Sequence, residues 1–295
     1  MRAATPRANS GSLLSIKGAL FTVPLVCYLL MWVVGPAFYG VFISFTNESF
    51  LGPAHLLGAA NYAALLHNPS WWQSVTLTCE YLAWVVPIAL IIAFAGAYVL
   101  NRIPWGKAFY LTIFFLPYVV PAAASAIVFE LMLQPGGLVN QLIGHQIAWL
   151  TTPGDALTAL SLVTAWSLFG FYVVIFLAGM QTIPREVLDA SAVDGANVLQ
   201  RLRHIELPIL RPTVLFSTVT CVAYVLTNFT TVYVLTQGGP GTATQVLPML
   251  IYRTAFQYSE GGLAAAMAVI LFVGSLVLTA LQFGIAARRG ARLWK

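Results

Sequence analysis

Charged side chains are scarce in this sequence of 295 residues: Asp, Glu, Lys and Arg make up only 8%, whereas 59% of the residues are hydrophobic. Soluble domains carry roughly 25% charged residues. A single soluble core could not bury this much apolar surface, and the mean hydropathy is +0.84. The composition therefore excludes a soluble globular protein and predicts an integral membrane protein.

Sequence motifs for catalysis and nucleotide binding are also missing. No G-x-x-x-x-G-K-[S/T] loop occurs, so the chain has no phosphate cradle of that kind. The four histidines are scattered, without an H-E-x-x-H pattern, and there is no G-x-S-x-G elbow. The three cysteines, Cys27, Cys79 and Cys221, lie in apolar runs and suggest neither a disulfide framework nor a metal site. We expect no cofactor or metal on this chain; a membrane-embedded enzyme, the alternative of a different class, would need converging catalytic groups that are not seen.

Six long apolar runs predict six membrane-spanning helices. They cover residues 18–44, 75–100, 108–133, 156–181, 212–236 and 261–287. The first exceeds the core of a signal peptide, so we expect it to be retained. Pro117 and Pro121 predict a bent or unwound third span. The predicted organisation is an N-terminal tail (1–17), a membrane domain (18–287) and a basic C-terminal tail (288–295).

The basic residues are confined almost entirely to one side of this arrangement. All except Arg253 fall in the two tails, the second-to-third loop or the fourth-to-fifth loop. Cytoplasmic loops carry such an excess of Lys and Arg. We therefore expect both termini to lie in the cytoplasm, and the basic charge requires no nucleic-acid partner.

The longest polar segment, residues 184–212, lies on that cytoplasmic side. Pro184 suits the first turn of a helix, Glu186 follows early, and Arg201 and Arg203 come late, which matches the helix dipole. With its short apolar face, the segment is typical of an amphipathic helix on the membrane surface.

The same segment contains a longer pattern. It reads Asp189-Ala190-Ser191, three residues, Gly195, nine residues, then Ile205-Glu206-Leu207-Pro208. This resembles the "EAA" loop of permease subunits in bacterial ABC importers (Glu-Ala-Ala, three residues, Gly, nine residues, Ile-x-Leu-Pro). Asp189 stands in place of Glu, and Ser191 in place of the second Ala, but the spacing is intact. The segments 114–121 and 233–266 are similar to the maltose- and glycerol-3-phosphate-type permeases.

The resemblance implies an all-α integral membrane fold of six transmembrane helices with a cytoplasmic coupling helix, the type I ABC importer permease fold, in the bacterial inner membrane. It implies four partners besides membrane lipid: a second permease, two ATPase subunits that hold ATP and Mg, and an extracytoplasmic solute-binding protein. The implied cargo is a carbohydrate. The residues implied in ATPase coupling are Asp189, Ala190, Ser191, Asp194, Gly195, Ile205, Leu207 and Pro208.

Two helix faces are candidates for the substrate pathway. The fourth span places Thr164, Ser167, Leu168 and Phe171 on one face, and the fifth places Cys221, Tyr224, Val225 and Asn228 on another. An amide such as Asn228 is costly in lipid, so it should face the bundle interior. In the resembled maltose permease, the positions matching these eight and Tyr118 line the sugar site, but only Tyr118 and Asn228 keep the residue type. Simple packing between helices is the competing interpretation.

Several assignments stay open at this point. The same machinery could import glycerol-3-phosphate or a glycerophosphodiester, although no Lys or Arg lies in the middle of a span. Glu80 and Glu130 are the only acids inside the predicted spans, near their outer ends. We expect Glu130 simply to reach water, whereas Glu80 has no assigned role. Arg253 either contacts the binding protein or anchors its loop.

Overall fold

The computed structural model describes residues 16–49 and 54–290, and these ranges form helices with no β-strand beyond isolated bridges such as that between Thr46 and Leu56. The predicted tails lie largely outside the described residues. The α-helices are α1 (Ile16–Leu29), α2 (Gly35–Ile43), α3 (Ala60–Leu66), α4 (Pro69–Arg102), α5 (Lys107–Val119), α6 (Ala122–Leu133), α7 (Leu138–Ile143), α8 (Pro153–Gln181), α9 (Arg185–Val193), α10 (Val198–Arg201), α11 (Leu207–Ile209), α12 (Arg211–Thr227), α13 (Thr230–Leu235), α14 (Leu247–Tyr252) and α15 (Gly261–Gly290). Three π-helical turns, Leu30–Val34, Leu202–Glu206 and Arg253–Gln257, link neighbouring helices.

Four helical segments are long and apolar enough to cross a membrane: Thr22–Ile43, α4, α8 and α15. Two bent pairs also qualify, α5 with α6 and Val198–Ile209 with α12, which bend by 92° and 71°. Counting each pair as one span gives six within the described residues, the predicted number, but the second pair covers Val198–Thr227 rather than the predicted fifth span, residues 212–236.

The core of the bundle lies between α4 and α8. On α4, a buried stripe of mostly small side chains recurs every four residues through Tyr81, Val85, Ala89, Ala93 and Ala97. Small residues let two membrane helices approach closely. α8 buries side chains all round its circumference, so it forms the centre around which the other spans pack.

One glycine of α8 fixes the approach of α5. A Cβ placed on Gly170 would lie 1.9 Å from the carbonyl oxygen of Phe114 and 2.6 Å from the Cα of Phe115. No side chain fits this gap, so the backbones of α5 and α8 are in direct contact at this position.

The third span breaks at its second proline, as predicted. α5 ends at Val119, and Pro121, which has no backbone N–H to continue the helix, precedes α6. The bend of 92° confirms the prediction made from the two prolines.

The fifth span is also interrupted, which the sequence did not predict. α12 ends at Thr227, Asn228 is extended with ψ of 95°, and α13 begins at Thr230. The side-chain oxygen Oδ1 of Asn228 accepts a hydrogen bond from the backbone N–H of Thr231 at 3.4 Å. Asn228 therefore bonds a free backbone amide at the start of α13. The span breaks at this position without a proline.

The first span joins the rest of the chain mainly just beyond its C-terminal end. Asn61 Nδ2 donates to the carbonyl oxygens of Ser44 and Thr46 at 2.9 and 2.8 Å. The backbone N–H of Gly262, at the start of α15, donates to the carbonyl of Glu48 at 2.9 Å. A Cβ on Gly262 would lie 2.0 Å from the carbonyl oxygen of Thr46, so only glycine fits here. Along the span itself, none of the side chains in its most apolar window is buried within this chain.

Candidate functional site

The polar segment between the fourth and fifth spans folds into two short helices joined by a turn at Gly195. α9 ends at Val193, and Gly195 has a φ of +76°, a left-handed conformation that glycine adopts without steric cost. The Ser191 hydroxyl is buried and donates to the carbonyl of Leu188 at 2.6 Å. The predicted helix is observed, and Gly195 forms the turn that follows it.

The second half of the segment is held by a capping box and an ion pair. The Asn197 side chain accepts from the Gln200 N–H, and the Gln200 side chain accepts from the Asn197 N–H, both at 2.9 Å. The Arg201 guanidinium pairs with the Glu206 carboxylate at 2.9 Å, and the Glu206 side chain is only 8% exposed. Removing one member of a buried ion pair is strongly destabilising. This pair therefore holds α10 against the π-helical turn that leads into α11 and α12.

The surface of this segment combines exposed apolar side chains with exposed acids. Val193 is 88% exposed and Leu199 71% exposed, and Val187 and Val198 are also uncovered. A cluster of uncovered apolar side chains on a loop between two spans is typical of a site for another protein. Of the residues implied in coupling, Asp189, Ala190, Asp194, Gly195 and Leu207 are exposed, Ile205 and Pro208 are half-buried, and Ser191 is buried.

A buried polar cluster connects three elements of the core. The Tyr81 hydroxyl on α4 and the Thr164 hydroxyl on α8 lie 2.7 Å apart, and Asn228 Nδ2 donates to the Tyr81 oxygen at 2.9 Å. Tyr81 was not among the predicted pathway residues. Its signal in the sequence is a tyrosine inside an apolar run, since a buried tyrosine hydroxyl usually requires a hydrogen-bond partner.

The nine predicted pathway residues divide into two groups. Thr164, Leu168, Cys221, Val225 and Asn228 are buried inside this chain, whereas Tyr118, Ser167, Phe171 and Tyr224 keep some exposure. The rings of Tyr118 and Phe171 stack with centroids 4.7 Å apart and planes inclined by 21°. The Ser167 hydroxyl donates to the carbonyl of Val163 at 3.0 Å, which leaves its oxygen free to accept a further bond. The partly exposed group offers an aromatic surface beside hydroxyl groups.

The residues without an assigned role are placed as follows. Arg253 donates to the carbonyl of Gln237 at 2.7 Å and to the side chain of Gln245, so it anchors the loop between α13 and α14. Glu130 is half-buried and Glu80 is exposed. Because α4 begins at Pro69, Glu80 lies about 16 Å along the helix, roughly three turns from its N-terminal end and deeper than the sequence suggested. Within the described ranges, no group of His, Cys, Asp or Glu could hold a metal ion.

Substituting Tyr81 by phenylalanine tests the buried cluster. The variant leaves the Asn228 amide and the Thr164 hydroxyl without their shared partner, so we expect a loss of about 1 kcal/mol in the free energy of unfolding. Asn228→Ala should cost a similar amount, and the double variant should lose less than the sum, because both changes remove one interaction. Denaturant unfolding in detergent measures all three, with Tyr110→Phe at an exposed site as the control; strictly additive losses would contradict the cluster.

Both the sequence and the fold are similar to those of known proteins. A family model described as "Binding-protein-dependent transport system inner membrane component" matches residues 57–290. The chain is 30% identical to the sulfoquinovosyl glycerol transport system permease protein SmoG of Agrobacterium fabrum, over 92% of this chain and 90% of that protein. It is 28% identical to the lactose transport system permease protein LacF of Rhizobium radiobacter, over 97% and 99% of the two chains.

The fold also matches a solved structure. A chain of a bacterial ABC transporter involved in the import of the acidic polysaccharide alginate superposes with a TM-score of 0.80, over 92% of this chain and 95% of that chain. The sequence identity is 20%, so this likeness concerns the fold alone.

Proposed function

Because the chain belongs to the family of binding-protein-dependent transport system inner membrane components, the permease subunits of ABC importers, we propose that it forms half of a carbohydrate translocation pathway and couples it to ATPase subunits through residues 184–212. It is a permease subunit, not an enzyme. In this proposal, a second permease supplies the other half of the pathway, two ATPase subunits bind ATP and Mg, and an extracytoplasmic binding protein delivers the cargo. Both termini lie in the cytoplasm.

The observation that carries the coupling role is the uncovered apolar surface of α9 and α10 on a rigid support. Val193 and Leu199 are the most exposed apolar side chains of the segment. The Arg201–Glu206 pair and the Asn197 capping box leave little freedom between this surface and α12. If an ATPase subunit holds this surface, its movement on ATP binding is transmitted to α12, with different contacts in the two states of the transporter.

The proposed cargo rests on the chemistry of the half-exposed group and on the named relatives. The aromatic pair of Tyr118 and Phe171 suits the apolar face of a sugar ring, and the hydroxyls of Ser167 and Tyr224 suit its hydroxyl edge. SmoG and LacF are named for the transport of sulfoquinovosyl glycerol and lactose. No Lys or Arg lies in the middle of the described spans, so these helices offer no cationic site for a phosphate cargo.

Copurification from native membranes tests the assembly and the cargo together. We expect this chain, used as bait in mild detergent, to recover an ATPase, a second permease and a binding protein. ATP hydrolysis by the complex should rise severalfold with one sugar of a panel and stay at its basal rate with glycerol phosphodiesters. Recovery of this chain alone would contradict the proposal. Stimulation of ATP hydrolysis only by a phosphodiester would support the proposed assembly but contradict the carbohydrate cargo.

A further inference from the structure

A cavity of about 790 Å³ opens between α15 and the segment from the last π-helical turn before α11 to the middle of α12. It lies on the side of the chain that carries the basic loops. Its walls are mostly apolar, with charged and amide groups at separate positions. The lining residues include Arg203, Arg211, Leu215, Thr218, Gln282 and Phe283.

Two arginines at the cavity carry charge that no acid of the described chain compensates within ion-pair distance. Arg203 and Arg211 are both exposed. Glu206, which lies between them in sequence, is buried and already paired with Arg201 at 2.9 Å. That pair is the single ion pair within 4.0 Å among residues 16–49 and 54–290. The cavity is therefore positively charged at one end.

Farther along the cavity, the lining is apolar and ends in two polar side chains. The apolar wall includes Leu215 of α12 and Phe283 of α15. Thr218 lies about 10 Å along α12 from Arg211, in the direction of the membrane interior. Gln282 is the lining residue of α15 farthest from the C-terminal end of that helix, and its Oε1 is buried with no hydrogen-bond partner in the described part of the chain.

A basic end joined to apolar walls matches the two parts of an anionic phospholipid. We propose that the cavity binds an anionic phospholipid of the cytoplasmic leaflet, with its phosphate at Arg203 and Arg211 and its acyl chains against the apolar walls. Basic pockets between membrane helices on the cytoplasmic side bind such headgroups. A soluble anion would leave the apolar walls without a partner. The inference rests on the proposed orientation, which places this end of α15 in the cytoplasm.

Counting retained lipid by native mass spectrometry tests the site. The assembled complex is extracted from vesicles of equal phosphatidylglycerol and phosphatidylcholine, and the bound lipids are compared. We expect phosphatidylglycerol to be retained preferentially, and the double variant Arg203→Gln with Arg211→Gln to reduce this preference by at least about tenfold, since each basic residue near the surface contributes roughly a factor of five.

The matched control removes two charges from the same face, away from the cavity. Arg102 stacks on the Tyr98 ring and Lys107 donates to the Asn101 carbonyl at 3.0 Å. The control variant, Arg102→Gln with Lys107→Gln, should keep the lipid preference. Ala286→Phe, which fills the cavity without changing charge, should lower the retention of both lipids.

Three outcomes would overturn the lipid site. An unchanged preference for phosphatidylglycerol in the Arg203 and Arg211 variant would show that these arginines do not bind the lipid. Displacement of the lipid by millimolar inorganic phosphate would indicate a site for free anions, and absence of retained lipid from the wild-type complex would mean that another subunit covers the cavity. Lipid retention is measured without transport, so a chain that binds lipid but recovers no ATPase contradicts the proposed function and leaves the lipid site intact.

Discussion

The Gly170→Ala variant is expected to lose most of its folded population in the membrane. Its new Cβ would lie 1.9 Å from the carbonyl oxygen of Phe114, so α5 must move away from α8 by more than 1 Å. Overpacking of this kind costs about 1–3 kcal/mol or more. Losses of that size change cellular abundance severalfold. The amount of variant protein in purified membranes and its unfolding midpoint in detergent measure the effect.

The same substitution at two other helical glycines serves as the control. A Cβ on Gly274 or Gly284 of α15 would meet no atom within 4 Å in this chain. Gly274→Ala and Gly284→Ala should therefore leave abundance and unfolding midpoint unchanged or slightly raised, since alanine favours a helix over glycine. Normal abundance of Gly170→Ala would show that the α5–α8 contact can relax without cost.

Changing Val193 to aspartate should detach the ATPase subunits while the permease stays folded. Val193 is 88% exposed and makes no part of the core, so a carboxylate costs the isolated chain little. In the complex, the charge would be buried against a partner, and substitutions at such central positions cost 2 kcal/mol or more, about a thirtyfold loss of affinity. Asp189→Lys, which reverses a charge on the same surface, should uncouple uptake from ATP hydrolysis.

Copurified ATPase, quantified per permease, distinguishes this effect from misfolding. Leu142 on α7 is 78% exposed, and its loop is predicted on the opposite side of the membrane. Leu142→Asp introduces the same change and should retain the ATPase fully. If the Val193 variant recovers as much ATPase and takes up as much cargo as the wild type, this surface does not bind the ATPase.

The architecture could be predicted largely from the sequence because lipid restricts the choices. In a membrane, backbone groups must be bonded within each segment, so long apolar runs become helices. The break at Pro121 followed from the missing N–H of proline, and the short helix α9 followed from Pro184 and its charge order.

The arrangement of polar side chains inside the bundle could not be predicted in the same way. The break after Thr227 depends on Asn228, whose amide bonds both Tyr81 and the backbone of Thr231. Those contacts join residues distant in sequence, and a helical face alone does not specify them. The same limit applies to the pathway residues: periodicity grouped Thr164 with Phe171, but Thr164 is buried against Tyr81.

The attachment of the first span has a consequence for the order of synthesis. Translation delivers the N-terminal helix first, yet the contact with Gly262 that secures its C-terminal end belongs to the last span. Until the ribosome has produced α15, the first helix is held by the hydrogen bonds between residues 44–47 and residues 55–62, the Asn61 bonds among them, and its apolar flanks meet lipid. A nascent chain truncated before residue 261 should therefore carry a first helix that is inserted but undocked, and thus open to capture by membrane chaperones and proteases.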